Sequence, residues 1–267
     1  GGGGSIGSQL VRQLALHNKI FILDIDETLT FDLAEELRQE GRWVYYRIGD
    51  ISNKETIKDV FSDFKPQIIF NAAAKKHVTP NEIYPEEAIR TNVSGLLNLI
   101  IESKNYECFE KFIQISTDKA VQSSSIMGAT KRLGEIMVKN QGKGFVVVRF
   151  GNVMGSRGSV IPIWQNQINR GKDLTITDER MERYFMTIEE ACELVIQAAE
   201  IGKGGEIIVM DMGQKIKVLD LAKQIIKGTD LKIVKIGSRP GEQLTEEIMF
   251  EEEKSRAIKQ GKFYVIK

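Results

Sequence analysis

The residues best suited to acid–base chemistry lie in one short segment, Ile115–Arg132. Thr117, Asp118 and Lys119 follow an apolar run of strand length, and Lys131 lies on the helix predicted after it. Ligands of α/β proteins bind at the carboxyl ends of strands. A carboxyl group beside an amine can donate and accept protons there, provided that the lysine is neutral part of the time. An Asp-Lys pair after a strand is also typical of a solvated turn, so these residues alone leave proton transfer and a solvated turn both open.

A glycine-rich segment opens the chain. Gly1, Gly4 and Gly7 have the spacing GxxGxxG, and an amphipathic helix starts at Ser5, so backbone N–H groups can approach a pyrophosphate at a helix N-terminus. The string GGGGS is also typical of an artificial linker, and the glycines alone leave both interpretations open. Asp24 ends the next predicted strand, close to the roughly 20-residue spacing at which an acidic residue holds a ribose.

Small residues at the ends of the next two strands favour a dinucleotide, because they let a cofactor lie flat across the sheet edge. Asp24 would repel a 2′-phosphate, so the sequence favours NAD over NADP. The residues predicted to hold the cofactor on these grounds are Gly1, Gly4, Ser5, Ile6, Gly7, Asp24, Asp50, Ile51, Ala72, Ala73 and Ala74.

Composition excludes several classes of protein. The 267 residues include 37 Lys+Arg and 37 Asp+Glu, which gives no bulk attraction to nucleic acid or to anionic lipid. Two Cys and two His are too few for a disulfide framework or a structural zinc site, and we expect no metal. The sequence has no signal peptide and no apolar stretch of roughly 18–20 residues. These features and reduced thiols favour the cytoplasm.

The elements that must position these residues alternate between strand and helix. Continuous apolar runs predict strands at Lys19–Asp24, Trp43–Ile48, Pro66–Asn71, Lys111–Ser116, Gly144–Phe150, Glu206–Met210 and Leu231–Ile236. Amphipathic segments predict helices at Ser5–Leu16, Leu29–Arg38, Thr56–Phe64, Pro85–Ser103, Ile126–Asn140, Ile161–Arg170, Ile188–Ile201 and Val218–Lys227. This alternation predicts an α/β fold with a Rossmann-like, doubly wound parallel sheet.

The sequence predicts two parts of different function. Residues 1–150 form a dinucleotide-binding domain, which is completed by a helix at about 187–201 and a strand at about 206–210. Residues 151–267 form mainly a smaller substrate lobe. The strand that should precede the glycine segment is missing, which would leave buried backbone groups unpaired. We expect upstream residues in a parent protein, or a segment from elsewhere, to fill the slot between Ile20–Leu23 and Phe112–Ile115.

The chain resembles the extended short-chain dehydrogenases/reductases, and within them the UDP-N-acetylglucosamine 4,6-dehydratases of capsular and O-antigen polysaccharide biosynthesis. The residues that carry this resemblance are GGGGSIGSQLVRQL, NAAAKKHV, RTNVSG, STDKAV, MGATKR, VRFGNVMGSRGSVIP, RYFMT and SRPGEQL. Met127 stands where these enzymes usually have a catalytic Tyr. This replacement resembles the longer, membrane-anchored members, which implies that the parent protein has upstream transmembrane helices.

The resemblance implies an internal redox cycle. Hydride from sugar C4 passes to bound NAD⁺, water is eliminated across C5–C6, and hydride returns to C6. Asp118 would protonate the departing 6-hydroxyl and Lys119 would take the C5 proton. Thr117 would bind the 4-hydroxyl, and its proton would pass to Asp118 through Thr117 or a water. Lys131 would hold the nicotinamide ribose, and Asn92 resembles a residue that organises the cofactor site.

The resemblance also implies UDP-sugar contacts and a homo-oligomer, with no nucleic acid partner. The candidate substrate residues are Lys76, His77, Asn152, Ser159, Val160, Arg183, Arg239 and Glu242, and Arg157 adds a cation for the diphosphate. Two alternatives stay open. A nucleotide-sugar 4-epimerase has the same fold but depends on the missing Tyr, and a catalytically silent dinucleotide-binding domain would not need Thr117, Asp118 and Lys119.

Overall fold

A computed structural model describes residues 1–267 and has a mostly parallel central sheet with helices on both faces. The first half contains α1 (Ser5–Leu14), β1 (Ile20–Asp24), α2 (Glu27–Gln39), β2 (Val44–Ile48), α3 (Lys54–Phe64), β3 (Ile68–Asn71), α4 (Val78–Ile83), α5 (Pro85–Ala88), α6 (Leu96–Ser103), β4 (Lys111–Thr117), α7 (Ile126–Lys139) and β5 (Phe145–Phe150). The second half contains β6 (Asn152–Val153), α8 (Val160–Asn169), β7 (Leu174–Ile176), β8 (Glu182–Arg183), β9 (Phe185–Met186), α9 (Ile188–Ile201), β10 (Glu206–Met210), β11 (Ile216–Lys217), α10 (Val218–Ile225), β12 (Ile233–Lys235), α11 (Glu251–Lys254), β13 (Ile258–Gln260) and β14 (Phe263–Ile266).

The sheet confirms the predicted fold class. Strands β3, β4, β5 and β10 pair in parallel in that order. All residues of β5 and β10 are buried, as expected for parallel strands covered on both faces. The predicted strand Glu206–Met210 is present with the same bounds. Strands β14 and β13 then extend the sheet in antiparallel fashion, and the sequence analysis did not assign them to it.

The sheet is split where the first strand was expected. Strand β1 pairs only with β2, and β3 pairs on one side only, with β4. The sequence analysis placed the slot beside Phe112–Ile115, which is wrong, because β3 lies between that strand and the slot. No segment of the chain lies in the slot, and Ile68 of β3 is half exposed there. The glycine segment lies at the end of the slot near the carboxyl end of β1, since the N–H of Gly2 donates to the carbonyl of Leu23.

Two hydrophobic clusters divide most of the core. The larger one covers both faces of the main sheet, with α1, α3, α6 and α9 packed on it. A smaller cluster joins α8, β7 and α10 around Trp164, whose indole N–H donates to the carbonyl of Thr175 at 2.8 Å. The boundary near residue 150 between the dinucleotide-binding domain and the substrate lobe stays a prediction. None of the helices has both the length and the apolar character that a membrane span requires.

The helix predicted at Pro85–Ser103 is present with the same bounds, but it is not α-helical throughout. A π-helical stretch, Ile89–Gly95, separates α5 from α6. Such wide turns often occur at functional sites. This one carries Asn92, which is buried and binds the backbone of Lys75 through both its amide oxygen and its amide nitrogen. The widened turn therefore fixes the segment that follows β3.

A buried ion cluster ties the sheet to the helices. Arg149 of β5 has no exposed surface, and its guanidinium makes paired bonds to Glu135 of α7 and Glu253 of α11. Burial opposes its charge, but the two carboxylates outweigh this effect and raise the pKa of Arg149. Ser116 at the end of β4 also donates to Glu135, at 2.7 Å. One cluster thus connects four elements, namely β4, β5, α7 and α11.

We predict that Arg149→Ala lowers the free energy of unfolding by about 3–5 kcal/mol, because it leaves two buried carboxylates to share Arg132 as their one remaining cation. Arg38→Ala is the matched control. Arg38 pairs with Glu35 on an exposed helix face, so its loss should change the free energy of unfolding far less than the loss of Arg149. Chemical denaturation of both variants measures the difference, and equal effects would contradict the prediction.

Candidate active site

A cleft with a volume of about 1370 Å³ lies over the carboxyl ends of β1, β3, β4 and β5. Single small-molecule sites usually measure about 300–1,000 Å³, so this cleft has room for more than one ligand. It brings together most of the predicted site residues, from both halves of the chain. Those that line it are Gly1, Gly4, Ser5, Ile6, Gly7, Asp24, Asp50, Ile51, Ala72, Ala73, Ala74, Lys76, His77, Thr117, Lys119, Met127, Lys131, Asn152, Ser159, Val160, Arg183, Arg239 and Glu242.

Two predicted residues do not line the cleft. Asn92 is buried behind it, where it also donates to the hydroxyl of Thr130 at 3.0 Å. It shapes the site through the backbone of Lys75 and is placed too deep to touch a ligand directly. Asp118 has no exposed surface and lies beneath Thr117 and Lys119. Direct contact between Asp118 and a ligand, which the sequence analysis expected, is not available in this structure.

The glycine segment wraps closely around the N-terminus of α1. A Cβ atom on Gly7 would overlap the backbone of Gly1 and Gly2, and one on Gly1 would overlap the backbone of Ala73. Helix α1 begins after Gly4, which supplies no side chain to cap it. Glycine is therefore required here to let the backbone pack so closely, and the uncapped helix start faces the cleft as an anion site.

Asp24 lies at the end of β1, beside the glycine segment. One carboxylate oxygen accepts from the N–H of Gly3 at 2.8 Å, and the other accepts from the N–H of Asp26 at 2.9 Å. These bonds hold the carboxylate in place at the rim of the cleft. Each oxygen retains a free lone pair for a ribose hydroxyl. The residues present therefore fit a dinucleotide cofactor.

The acid–base residues meet where β4 ends. Lys119 donates to Asp118 at 2.9 Å and to the amide oxygen of Asn152 at 3.1 Å. The hydroxyl of Thr117 donates to the same oxygen of Asp118, at 2.9 Å. The other oxygen of Asp118 is buried and accepts no hydrogen bond. Thr117 and Lys119 face the cleft, so protons can reach Asp118 only through them.

Glu246 is a site residue that the sequence analysis missed. Its carboxylate lies 3.9 Å from the Lys119 Nζ and 3.6 Å from a guanidinium nitrogen of Arg183, and it lines the cleft. Burial, aided by Asp118, raises the pKa of Glu246 against the opposing effect of Lys119 and Arg183. No local motif marks it, because a bridge between Glu182 and Thr245 brings this distant segment to the cleft.

Helix α7 contributes Met127 and Lys131 to the cleft wall. Met127 is almost fully buried, and its thioether offers no proton for exchange. Lys131 donates to the carbonyl of Ile115 at 2.6 Å. Burial lowers the pKa of Lys131 to about 8, and the nearby Glu135 only partly offsets this effect. Lys131 can therefore change its charge within the ordinary pH range.

The loop after β5 closes over the glycine segment. Arg157 donates from its side chain to the carbonyl of Gly3 at 2.8 Å and from its backbone to the Ser5 hydroxyl at 3.0 Å. Lys76 donates to the Arg157 carbonyl at 2.7 Å. Burial lowers the pKa of Lys76, and the charges of Arg157 and Lys119 lower it further. Three cations crowded together in this way favour binding of a polyanion.

The remaining predicted substrate residues line the same cleft with different degrees of freedom. Burial, with the charge of Lys76, lowers the pKa of His77, which favours its neutral form. Arg183 is committed to the backbone carbonyls of Glu182, Gln243 and Leu244, so it anchors the Glu246 segment and has few donors left for a ligand. The other substrate candidates on this side of the cleft are Ser159, Val160, Arg239 and Glu242.

This fold and this site together define an extended short-chain dehydrogenase/reductase. The family described as "Polysaccharide biosynthesis protein" matches residues 1–267. The chain belongs to this family, which confirms the predicted membership of a polysaccharide biosynthesis family.

Individual relatives agree with this assignment. The capsular polysaccharide biosynthesis protein CapD of Staphylococcus aureus is 45% identical over 264 residues, which cover 93% of this chain and 44% of CapD. The chain thus spans less than half the length of that relative. A UDP-glucose 4-epimerase of Rickettsia bellii is 38% identical over 280 aligned positions, covering 100% of this chain and 81% of the epimerase. Pen from Bacillus thuringiensis has a similar crystal structure, with a TM-score of 0.93, 34% identity, and coverage of 100% of this chain and 86% of Pen.

We predict that Lys131 makes stability depend on pH in the protein without cofactor. Its pKa is about 8 when folded, against 10.5 for an ordinary lysine, so the unfolded chain binds more protons between these values. The free energy of unfolding should therefore gain a component that rises from about pH 8 to pH 10.5. Lys131→Met should lose it, as seen by denaturation at a series of pH values. The control is Lys58→Met, on an exposed helix face, and equal pH profiles for both variants would contradict the prediction.

Proposed function

We propose that this chain catalyses the NAD-dependent 4,6-dehydration of a UDP-N-acetylhexosamine, with UDP-N-acetylglucosamine as the first candidate, to a 4-keto-6-deoxy sugar nucleotide for surface polysaccharide biosynthesis. The observation that carries the proposal is the placement of the Lys119 amine in the cleft, 2.9 Å from Asp118 and beside Thr117. A base in this position suits removal of a proton next to a ketone. Membership of the polysaccharide biosynthesis family supports the same pathway.

The glycine segment, Asp24 and Lys131 would hold the cofactor. A bound nicotinamide dinucleotide would supply the hydride acceptor for C4 and the hydride donor for C6. Asp24 would bind the adenosine ribose hydroxyls, and its charge favours NAD over NADP. The cations Lys76, Arg157 and Arg239 would bind the substrate diphosphate, since guanidinium and ammonium groups are strong phosphate ligands.

The chain's own residues then move the protons. The hydroxyl of Thr117 would accept the 4-hydroxyl proton while passing its own to Asp118, along the hydrogen bond that joins them. Lys119 would remove the C5 proton once the C4 ketone has acidified it. Asp118 would return a proton, again through Thr117, to the departing 6-hydroxyl. Asn152 orients the amine, to which it bonds at 3.1 Å.

A 4-epimerase is the second candidate, and the relative from Rickettsia bellii named UDP-glucose 4-epimerase favours it. An epimerase needs an acid–base group at C4 but no base for C5. The buried Met127 at the Tyr position and the lysine in the cleft therefore support dehydration over epimerisation. A silent dinucleotide-binding domain is the third alternative.

We predict that the full-length protein with NAD converts UDP-N-acetylglucosamine to a product with a 4-ketone and a 6-methyl group, detected by NMR. Lys119→Ala should reduce turnover by about 10²–10⁴-fold, the usual contribution of a positioned proton-transfer group. Lys58→Ala, on the outer face of α3, is the control.

The product of the full-length protein separates the alternatives. A 4-epimer as the sole product would establish the epimerase. Unchanged substrate, with cofactor that binds but exchanges no hydrogen with the sugar, would favour the silent domain. Full activity of Lys119→Ala would overturn the assigned mechanism.

We also propose that the protein acts in the cytoplasm as a homo-oligomer. Two adjoining helices, α6 and α7, each expose apolar side chains, namely Leu97, Ile101, Leu133 and Ile136. Contact with a second copy would remove these side chains from water. Leu97→Glu combined with Leu133→Glu should then lower the mass found by sedimentation, and an unchanged mass would contradict this interface.

A further inference from the structure

Glu246 is a buried carboxyl group in the cleft to which the mechanism above gives no task. It is only 4% exposed. Its contacts with Lys119 and Arg183, at 3.9 and 3.6 Å, are ionic and too long for hydrogen bonds. Arg183 is meanwhile satisfied by three backbone carbonyls, so it would not be left without partners if Glu246 became neutral.

The number of protons in the proposed dehydration calls for a third group. The count covers Lys119, Asp118 and Glu246. With Lys119 as an ammonium ion paired with two carboxylates, these three groups hold one proton that can be transferred. Oxidation at C4 adds the 4-hydroxyl proton and raises the total to two. Elimination needs Lys119 neutral and Asp118 protonated, which accounts for only one of them. The other proton needs a second acceptor within reach of the Lys119 amine.

We propose that Glu246 takes up the ammonium proton of Lys119 and thereby creates the neutral amine that removes the C5 proton. This inference rests on the proposed dehydration. Asp118 and Glu246 are the two carboxyl groups that form ion pairs with Lys119, and Asp118 is needed for the 4-hydroxyl proton. The gap of 3.9 Å to Glu246 must shorten by about 1 Å, and such contacts are often long in structures without substrate.

The surroundings of Glu246 favour this exchange. The charged groups that face it are Lys119, Asp118, Arg183 and Lys215. Burial raises the pKa of Glu246. The carboxylates of Asp118 and Glu246 are like charges near each other, and protonation of Glu246 removes one of them. The transfer breaks an N–H bond of Lys119 and forms an O–H bond on Glu246, so the charge of the pair stays zero.

The proton cycle also closes. Lys119 takes the C5 proton while Asp118 gives its proton to the departing hydroxide to form water. Lys119 then returns a proton to C5 as hydride reaches C6. The neutral amine finally recovers the proton held by Glu246, which restores the ammonium and the carboxylate. No proton needs to leave for solvent at any step.

The test compares Glu246→Gln with the wild type in the full-length protein loaded with NAD and given UDP-N-acetylglucosamine in D₂O. We expect elimination to slow by about 10²-fold, near the lower end of what proton-transfer groups contribute. The logarithm of its rate should rise by about one per pH unit, because the surplus proton must now reach solvent, whereas the wild-type rate should be flat. The 4-keto sugar that still carries its 6-hydroxyl should accumulate, and deuterium should enter C5 slowly.

Two further variants separate this role from a structural one. Glu247→Gln is the matched control, since Glu247 lies next in sequence, does not line the cleft and pairs with Lys215. Glu246→Asp keeps a carboxyl group and should retain a flat pH profile at a reduced rate. Thermal unfolding and cofactor affinity report whether each variant is folded.

The possible outcomes distinguish a failure of the role given to Glu246 from a failure of the proposed dehydration. A Glu246→Gln variant that matches Glu247→Gln in rate and pH profile would overturn the role of Glu246, while wild-type product would leave the proposed function intact. A slow Glu246→Gln variant with a flat pH profile would also overturn it and indicate a structural effect. Absence of 4-keto-6-deoxy product from the wild type would instead refute the proposed function on which this inference depends.

Discussion

Arg149 is the buried charge on which the arrangement of the site depends. It lies one residue before the end of β5 with no exposed surface and is held by Glu135 from α7 and Glu253 from α11. A buried guanidinium is tolerated only when its charge and its donors are matched, and this one is matched by two carboxylates. The cluster therefore fixes three elements at once. Lys131 lies on the same helix as Glu135, and the segment that carries Glu246 runs into α11.

The edge of the sheet converts this rigid frame into a site. Parallel strands end together, so the glycine segment, Asp24 and the Thr117–Lys119 turn share one cleft although they are far apart in sequence. The split between β1 and β3 does not disturb this edge, because the backbone of the glycine segment contacts the ends of both strands. The loop after β5 then covers the edge through Arg157, which binds the carbonyl of Gly3. The proposed cofactor and substrate positions are thus joined by one loop.

The sequence alone predicts much of this arrangement, because its signals are local. Buried parallel strands appear as continuous apolar runs, and β1 to β5 fall within two residues of their predicted bounds. Motif spacing likewise places most site residues in the cleft. What it could not predict depends on long-range contacts. Glu246 reaches the cleft through a bridge to Glu182, and β14 reaches the sheet through a pairing with β10.

Depth within the site is a second property that sequence does not carry. Asp118 and Lys119 are neighbours in the chain, yet one is sealed and the other faces the cleft, because the short turn after β4 directs them differently. Asn92 was expected to organise the cofactor site, and the π-helical stretch turns it toward the backbone of Lys75. Hydrogen-bond partners decide such orientations, and those partners come from other elements.

The methionine at position 127 bears on the route of the protons under the proposed dehydration. A tyrosine there would exchange the 4-hydroxyl proton itself, and its own proton could pass to a neighbouring lysine. Met127 is apolar and buried, so under the proposed dehydration that proton has to enter the pair formed by Thr117 and Asp118. Asp118 then already carries the 4-hydroxyl proton when Lys119 must become neutral. The ammonium proton of Lys119 therefore has to pass to a second carboxyl group. With methionine at this position, the proposed dehydration needs a second buried acid beside Lys119, and Glu246 lies there.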